Sequence, residues 1–243
     1  MTSRNPLTLA ICAAALHVAS PAALAADGWE ATLTPYLWAM GMDGDINVGA
    51  REINASADFS DIWDNMDIGG SAMFELNKGR WVNYLQVDYL AIDNGGAEVR
   101  NTGLEADIES DSTLGALATG YRFDGFGERS TIDVLVGVRY AKLDTQIDLK
   151  PLGQVDSDHK QYDGMVMLRP HLALGKNWSF SPTLSVGAGD SDLVWELSPQ
   201  FEYAWCNYEL RLGYRNLNYD LEDGNRSLDL TIHGPMVGFG FKF

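Results

Sequence analysis

The chain has 243 residues, 46% hydrophobic and 21% charged, and its 34 acidic side chains against 17 basic ones give a net charge of −17. An ordinary hydrophobic fraction with 11% aromatic residues excludes a disordered chain, and the acid excess removes the electrostatic footprint of a nucleic-acid binder. One domain of a little over 200 residues is the expectation once a leader is set aside.

That leader is legible at the start. Arg4 supplies a positive n-region, Leu7 to Ala19 an apolar stretch of 13 residues interrupted by Thr8 and His17, and Ala23-Leu24-Ala25 a small-x-small cleavage site. The expected organisation is a signal peptide over 1–25 and one domain over 26–243. A 13-residue apolar run is too short to cross a bilayer as a helix. Cys12 leaves with the leader, so Cys206 stands alone in an oxidising compartment and no internal disulfide is expected.

No window after Ala26 reaches 18 consecutive apolar residues, whereas period-two alternation recurs, so the expected elements are strands. In chain order they run over 29–42, 66–77, 80–92, 107–123, 130–145, 161–174, 177–189, 193–205, 207–220 and 227–243. Ile132, Val134, Val136, Val138 and Tyr140 alternate with Asp133, Leu135, Gly137 and Arg139. Leu193, Trp195, Leu197, Pro199, Phe201, Tyr203 and Trp205 alternate with Val194, Glu196, Ser198, Gln200, Glu202 and Ala204. Between the first two strands, Phe59, Ile62, Trp63 and Met66 recur at helical spacing, which predicts a helix over 58–68, capped by Asp58 or Ser60. It would lay its apolar side on a rim, cover a mouth or dock a partner. A small hairpin over 44–57, turning near Gly49-Ala50, is expected beside it.

Alternate connections are short, as at Asn77-Lys78-Gly79, Gly175-Lys176-Asn177 and Cys206-Asn207, while most others are longer and rich in Asp, Asn and Gly. The expected fold is therefore all-β: an antiparallel up-and-down transmembrane β-barrel of ten strands, with short periplasmic turns and longer acidic extracellular loops. Eight or twelve strands are the neighbouring counts, twelve if the hairpin near Ala50 joins the wall.

Alternation alone does not say which face points outward, because a soluble ligand-binding barrel has the same period with its apolar face inside. Aromatic placement decides. Trp29, Trp81 and Trp178 begin strands and Tyr121, Phe123, Trp205 and Phe243 end them, all at the short-turn end, as a membrane interface selects. Charge agrees: the five long-side connections (43–67, 93–111, 144–160, 190–192 and 220–229) hold 23 of the 34 acidic residues but 5 of the 17 basic ones. The net negative charge belongs to one rim.

With the apolar parity facing lipid, the other parity fills the barrel. It holds Glu30, Glu75, Gln86, Asp88, Asp133, Arg139, Arg169, His171, Glu196, Glu202, Glu209, Arg211 and Arg215, with Arg122 on a strand of weak contrast. A ten-stranded barrel is narrow, and charges confined in it must pair, because an unpaired buried charge costs far more than a bridged one. The expected lumen is an ion-pair and hydrogen-bond network with at most a thin path for ions or small solutes.

Catalytic and metal chemistry find little support. His159 lies near Asp156 and Asp158 in a long-side connection, His171 shares the lumen parity with Arg169, and His233 precedes Gly234-Pro235, whose proline marks a bulge or an irregular pairing. Gly-x-Ser-x-Gly, Cys-x-x-Cys and His-Glu-x-x-His are absent. The pairs Asp43/Asp45, Asp156/Asp158, Asp190/Asp192 and Glu222/Asp223 lack EF-hand spacing, so no dedicated metal site and no cofactor are expected. Divalent cations are expected to bridge the acidic rim to lipopolysaccharide phosphates.

Thr34-Pro35-Tyr36-Leu37-Trp38 with Gly41 and Gly44, Phe59-Ser60-Asp61-Ile62 with Asn65 and Asp67, Lys78-Gly79-Arg80-Trp81, Gly213-Tyr214-Arg215 and the ending Gly238-Phe239-Gly240-Phe241-Lys242-Phe243 carry a resemblance. Over nearly the whole mature chain, the sequence resembles the small Gram-negative outer-membrane β-barrel proteins of unassigned activity. The resemblance implies location and fold and brings no catalytic residues. It also implies that Phe239, Phe241 and Phe243 are the signal read by the barrel-assembly machinery. The leading reading is a non-enzymatic outer-membrane barrel, structural or a narrow cation-preferring pore. The alternatives are an outer-membrane surface hydrolase with an Asp/His site at the extracellular rim and a soluble periplasmic ligand-binding barrel.

Overall fold

The computed structural model describes residues 28–243 except 49–50, 58, 65, 100–103, 126, 128, 151–152 and 224–225, so the leader lies outside the described residues. Among them run β1 (Trp29–Trp38), β2 (Gly41–Val48), β3 (Arg51–Ala57), α1 (Phe59–Asp64), β4 (Met66–Lys78), β5 (Trp81–Val99), β6 (Leu104–Asp124) and β7 (Thr131–Lys150). There follow β8 (Gly153–Ala173), β9 (Trp178–Phe180), β10 (Thr183–Gly189), β11 (Leu193–Ser198), β12 (Gln200–Trp205), β13 (Tyr208–Asp223) and β14 (Arg226–Lys242).

These strands make ten staves. β1 continues into β2 across Ala39-Met40, β9 into β10 across Ser181-Pro182, and β11 into β12 across Pro199. Proline has no N–H to give the ladder, so the strand lapses at Pro182 and Pro199. Parity survives the break, since Gln200 and Glu202 are buried like Glu196 and Ser198. The ring closes where β14 pairs antiparallel with β1, Leu33 opposite Phe241 and Tyr36 opposite Gly238. This seam pairs the first stave with the last, because in hydrocarbon an unpaired backbone group is costly. β3 stands outside the ring and pairs with β2, forming the hairpin expected near Gly49-Ala50.

Two expectations need correction. The segments 93–111 and 144–160 are largely strand: β5 and β6 stay paired up to Val99 and Leu104, and β7 and β8 up to Leu149 and Gly153. The acidic, polar composition of these segments suggests loops, but backbone groups make the ladder and pairing continues regardless of side chain. The helix is also shorter than 58–68, because β4 starts at Met66; α1 keeps Ile62 buried and Phe59 exposed.

Exposure settles which face is outside. Val136, Trp195 and Phe201 are 58%, 36% and 48% exposed, whereas Arg139 and Glu196 are 2% and 4% exposed. A soluble barrel with an apolar interior face would invert this order, so that reading is overturned. At the short-turn end Trp81 packs edge-on to Tyr121, Tyr121 to Phe123, Trp178 against Tyr203, and Trp205 against Tyr208 and Phe239. Tyr140 and Tyr162, with ring centroids 5.0 Å apart, lie nine residues up β7 from Thr131. A tilted strand climbs roughly 2.5 Å per residue, which puts this upper pair about 23 Å above the lower ring, the height of an outer-membrane apolar band. Val136 sits midway, so Val136→Arg should lower the unfolding free energy in bilayers by about 2–4 kcal/mol. A loss within 0.5 kcal/mol, measured by urea titration, would mean that Val136 does not face lipid.

The interior is not wholly polar. Met73, Leu135 and Met167 follow Glu75, Asp133 and Arg169 by one inward step, and Trp38, Leu90, Val194 and Leu217 similarly follow Tyr36, Asp88, Glu196 and Arg215. Charged and apolar levels therefore alternate along the lumen.

Candidate functional site

The charged side chains of the lumen form two tiers. The lower lies at the short-turn end. Arg122 grips Asp133 with two bonds, Nε to Oδ1 at 2.7 Å and Nη2 to Oδ2 at 2.9 Å. Glu75 Oε1 accepts from Arg169 Nη2 at 2.7 Å and from Arg211 Nη2 at 3.0 Å. Arg211 Nε also donates to Glu209 Oε1 and lies 3.6 Å from Glu202 Oε1, and Lys242 Nζ reaches Glu209 Oε2 at 2.8 Å. His171 Nδ1 sits 3.4 Å from Glu202 Oε2 and bonds Ser181 Oγ at 2.8 Å. Four permanent cations thus meet four carboxylates, which is why so many charges share a narrow space. A polar cavity of about 470 Å³ opens from this tier to the periplasmic side, with Glu30 exposed at its mouth.

The upper tier is fully enclosed. Arg139 Nη2 donates to Glu196 Oε2 at 2.7 Å and to Ser185 Oγ at 2.9 Å. Arg215 donates from Nε to Glu196 Oε1 at 3.1 Å and from Nη1 to Asp88 Oδ2 at 2.7 Å, while its guanidinium lies 4.2 Å above the Trp38 ring. Tyr36 donates its hydroxyl to Asp88 and accepts from Gln86 Nε2 at 2.6 Å. Gln86 in turn accepts from Tyr84, whose ring stacks under Arg169 at 4.7 Å and joins the two tiers.

The residues expected from parity alone, Glu75, Asp88, Asp133, Arg139, Arg169, His171, Glu196, Glu202, Glu209, Arg211 and Arg215, all have contacts within these tiers. Sequence reasoning left out Tyr36, Tyr84, Lys242 and Asp163. Tyr36 shares the parity of Glu30, and Asp163 that of Arg169, so the signal was present but carried by one residue at a time. Asp163 pins the β10–β11 turn by accepting from Ser191 N at 2.8 Å and Ser191 Oγ at 3.0 Å.

No protein-family model matches the chain, and no curated protein matches it significantly. Solved structures do resemble it. The outer-membrane protease OmpT from Escherichia coli is 9% identical over 89% of this chain and 97% of its own, with a TM-score of 0.51. The attachment invasion locus protein Ail of Yersinia pestis is 9% identical over 89% of this chain and 99% of its own, with a TM-score of 0.39. At 9% identity the OmpT likeness speaks to fold alone, and the outward apolar belt agrees with it. The chain is an outer-membrane β-barrel.

The barrel does bring an Asp/His pair together, though away from His159. His159 is exposed, and the side chains of Asp156 and Asp158 lie outside the described residues. Instead His233 Nε2 lies 2.9 Å from Asp43 Oδ2, and its Nδ1 is 2.6 Å from the Tyr214 hydroxyl. The carboxylate can only accept, so Nε2 donates to Asp43, and in a neutral ring Nδ1 is then the acceptor for the Tyr214 hydroxyl. Asp43 and His233 are 190 residues apart, a distance no local motif could reveal. Among the described residues, no group of three or more His, Cys, Asp or Glu side chains is arranged to hold a metal ion. Phe239, Phe241 and Phe243 stand exposed on the outer wall at the short-turn end.

Proposed function

We propose that the protein is a non-enzymatic, structural outer-membrane barrel with a sealed lumen. The observation that carries this reading is Arg215, 1% exposed and bonded at once to Glu196 of β11 and Asp88 of β5, with Arg139 of β7 closing on the same Glu196. Four staves are tied across the lumen at one level, and apolar side chains fill the levels on either side. A crossing ion would have to part a desolvated pair and then pass a level with no ligand for its charge. The acidic rim favours cations at the mouth and would meet lipopolysaccharide phosphates through divalent cations, while the three terminal phenylalanines would present the barrel to its assembly machinery. Planar-bilayer recording across a salt gradient tests the sealed lumen. Wild type is expected to give no resolved steps; steady cation-selective steps would replace this reading with that of a narrow pore.

Asp43, His233 and Tyr214 favour a second reading, a surface hydrolase in which Asp43 orients His233 and His233 draws the proton from the Tyr214 oxygen. Hydrolysis of phospholipid or peptide by wild type, lost in His233→Ala, would establish it. Wild type without turnover on either substrate retires it.

A further inference from the structure

The wall between β1 and β4 is not sealed along its height. Their pairing runs from Trp29 opposite Lys78 to Tyr36 opposite Ser71 and stops. Beyond it Gly69 and Gly70 pair with Leu90 and Tyr89 of β5, and Leu37 and Trp38 pair with Val237 and Met236 of β14. Among the described residues neither segment pairs with the other. A cavity of about 570 Å³ occupies the gap, within the range of about 300–1,000 Å³ usual for small-molecule sites.

Its lining passes from one side of the wall to the other. Leu37, Leu212 and Val237 belong to the lipid-facing set at 65%, 43% and 42% exposure, while Trp38, Leu90 and Met236 belong to the interior at 6%, 3% and 4%. Ile62 and Phe59 of α1 also line it. The cavity is therefore a side portal, open laterally to the medium around the barrel. Trp38 lies nine residues up the stave from Trp29, roughly 23 Å above the lower aromatic ring, which is where the apolar band gives way to the ester groups of the outer leaflet. An apolar cavity opening sideways at that depth meets hydrocarbon rather than water.

A second observation points to the same occupant. The Trp38 indole Nε1, more than nine-tenths buried, finds no acceptor among the described residues. Buried donors are rarely left so. We propose that the portal holds one hydrocarbon chain of an outer-leaflet lipid, with the Trp38 N–H donating to that lipid's carbonyl oxygen. Gly70 lines the portal on its lipid-facing side, and a Cβ built there meets nothing within 4 Å, so a side chain can be placed there without a clash. This proposal stands whether or not the lumen conducts.

Native mass spectrometry of the barrel released from dimyristoyl phosphatidylcholine nanodiscs provides the test. Wild type is expected to retain a single phospholipid, and Gly70→Trp, which fills the portal, to lose that retention by about tenfold. Val136→Trp, which puts the same indole on the belt of another stave, is expected to retain lipid as wild type does. Wild-type retention in Gly70→Trp, or equal loss in Val136→Trp, overturns the proposal. Trp38→Phe keeps an aromatic ring beneath Arg215 and removes the donor with part of the indole, so it is expected to weaken retention several-fold. Should Gly70→Trp fail to give a heat-modifiable barrel, unchanged retention in Trp38→Phe overturns the proposal by itself.

Discussion

Arg215→Met is expected to open the lumen to cations and to destabilise the barrel by about 3–5 kcal/mol, the usual consequence of removing one partner from a buried ion pair. The Arg215 guanidinium makes bonds that no other residue can make for it: Nε and Nη2 to the two oxygens of Glu196 at 3.1 and 3.3 Å, and Nη1 to Asp88 Oδ2 at 2.7 Å. Without it Glu196 keeps Arg139, whereas Asp88 keeps only neutral hydrogen-bond partners among the described residues. A carboxylate freed in the upper tier draws in water and cations, so conductance and cation preference should rise together. Arg215→Lys should not restore the wild type, because one ammonium cannot span two carboxylates in a fixed fork. Adding Asp88→Asn to Arg215→Met should recover part of the stability, and the coupling measured in that double-mutant cycle reads the pair directly. Unchanged conductance and an unchanged urea midpoint in Arg215→Met would remove the basis for the sealed lumen.

Gly234→Val is expected to prevent closure of the ring. Gly234 has φ +156°, and a Cβ there would lie 1.8 Å from the Ala39 carbonyl oxygen, a backbone atom that cannot swing aside as a side-chain tip can. The contact occurs at the closing seam, where Ala39 N donates to Pro235 O at 2.9 Å. Overpacking normally costs about 1–3 kcal/mol, and a collision with backbone belongs at or above the top of that range. The heat-modifiable fraction on gels should fall sharply in Gly234→Val, while wild-type mobility would show that the seam can yield. Gly234 pairs with Arg215 across β13 and β14, so its substitution should not be additive with Arg215→Met.

Most of the ring could be read from the chain. The alternation of Val136 and Val138 with Arg139, or of Trp195 and Phe201 with Glu196 and Glu202, is local, because hydrocarbon on one side and a narrow lumen on the other act on each residue singly. The ends of the staves were less legible: in β5–β6 and β7–β8 the chain takes on the acidic, polar composition of a loop, while backbone pairing persists whatever the side chains. Aromatic rings at one level and acids on one rim fixed inside, outside and depth for the same reason, that each responds to a medium rather than to a partner.

Partnership belongs to the fold. Arg215 and Asp88 are 127 residues apart, and they meet because the closing seam brings β13 near β5 across the lumen at one particular stagger of the strands. The Asp43–His233–Tyr214 contact and the gap beside Trp38 likewise depend on where the β1–β4 ladder ends and on the β13–β14 register, which runs unshifted through Gly234 and Pro235. Composition along the chain determined which residues face lipid and which face the lumen, since that choice is made by solvent. Which charges pair, and where the wall is left open, were decided by register between distant strands, which no single strand encodes.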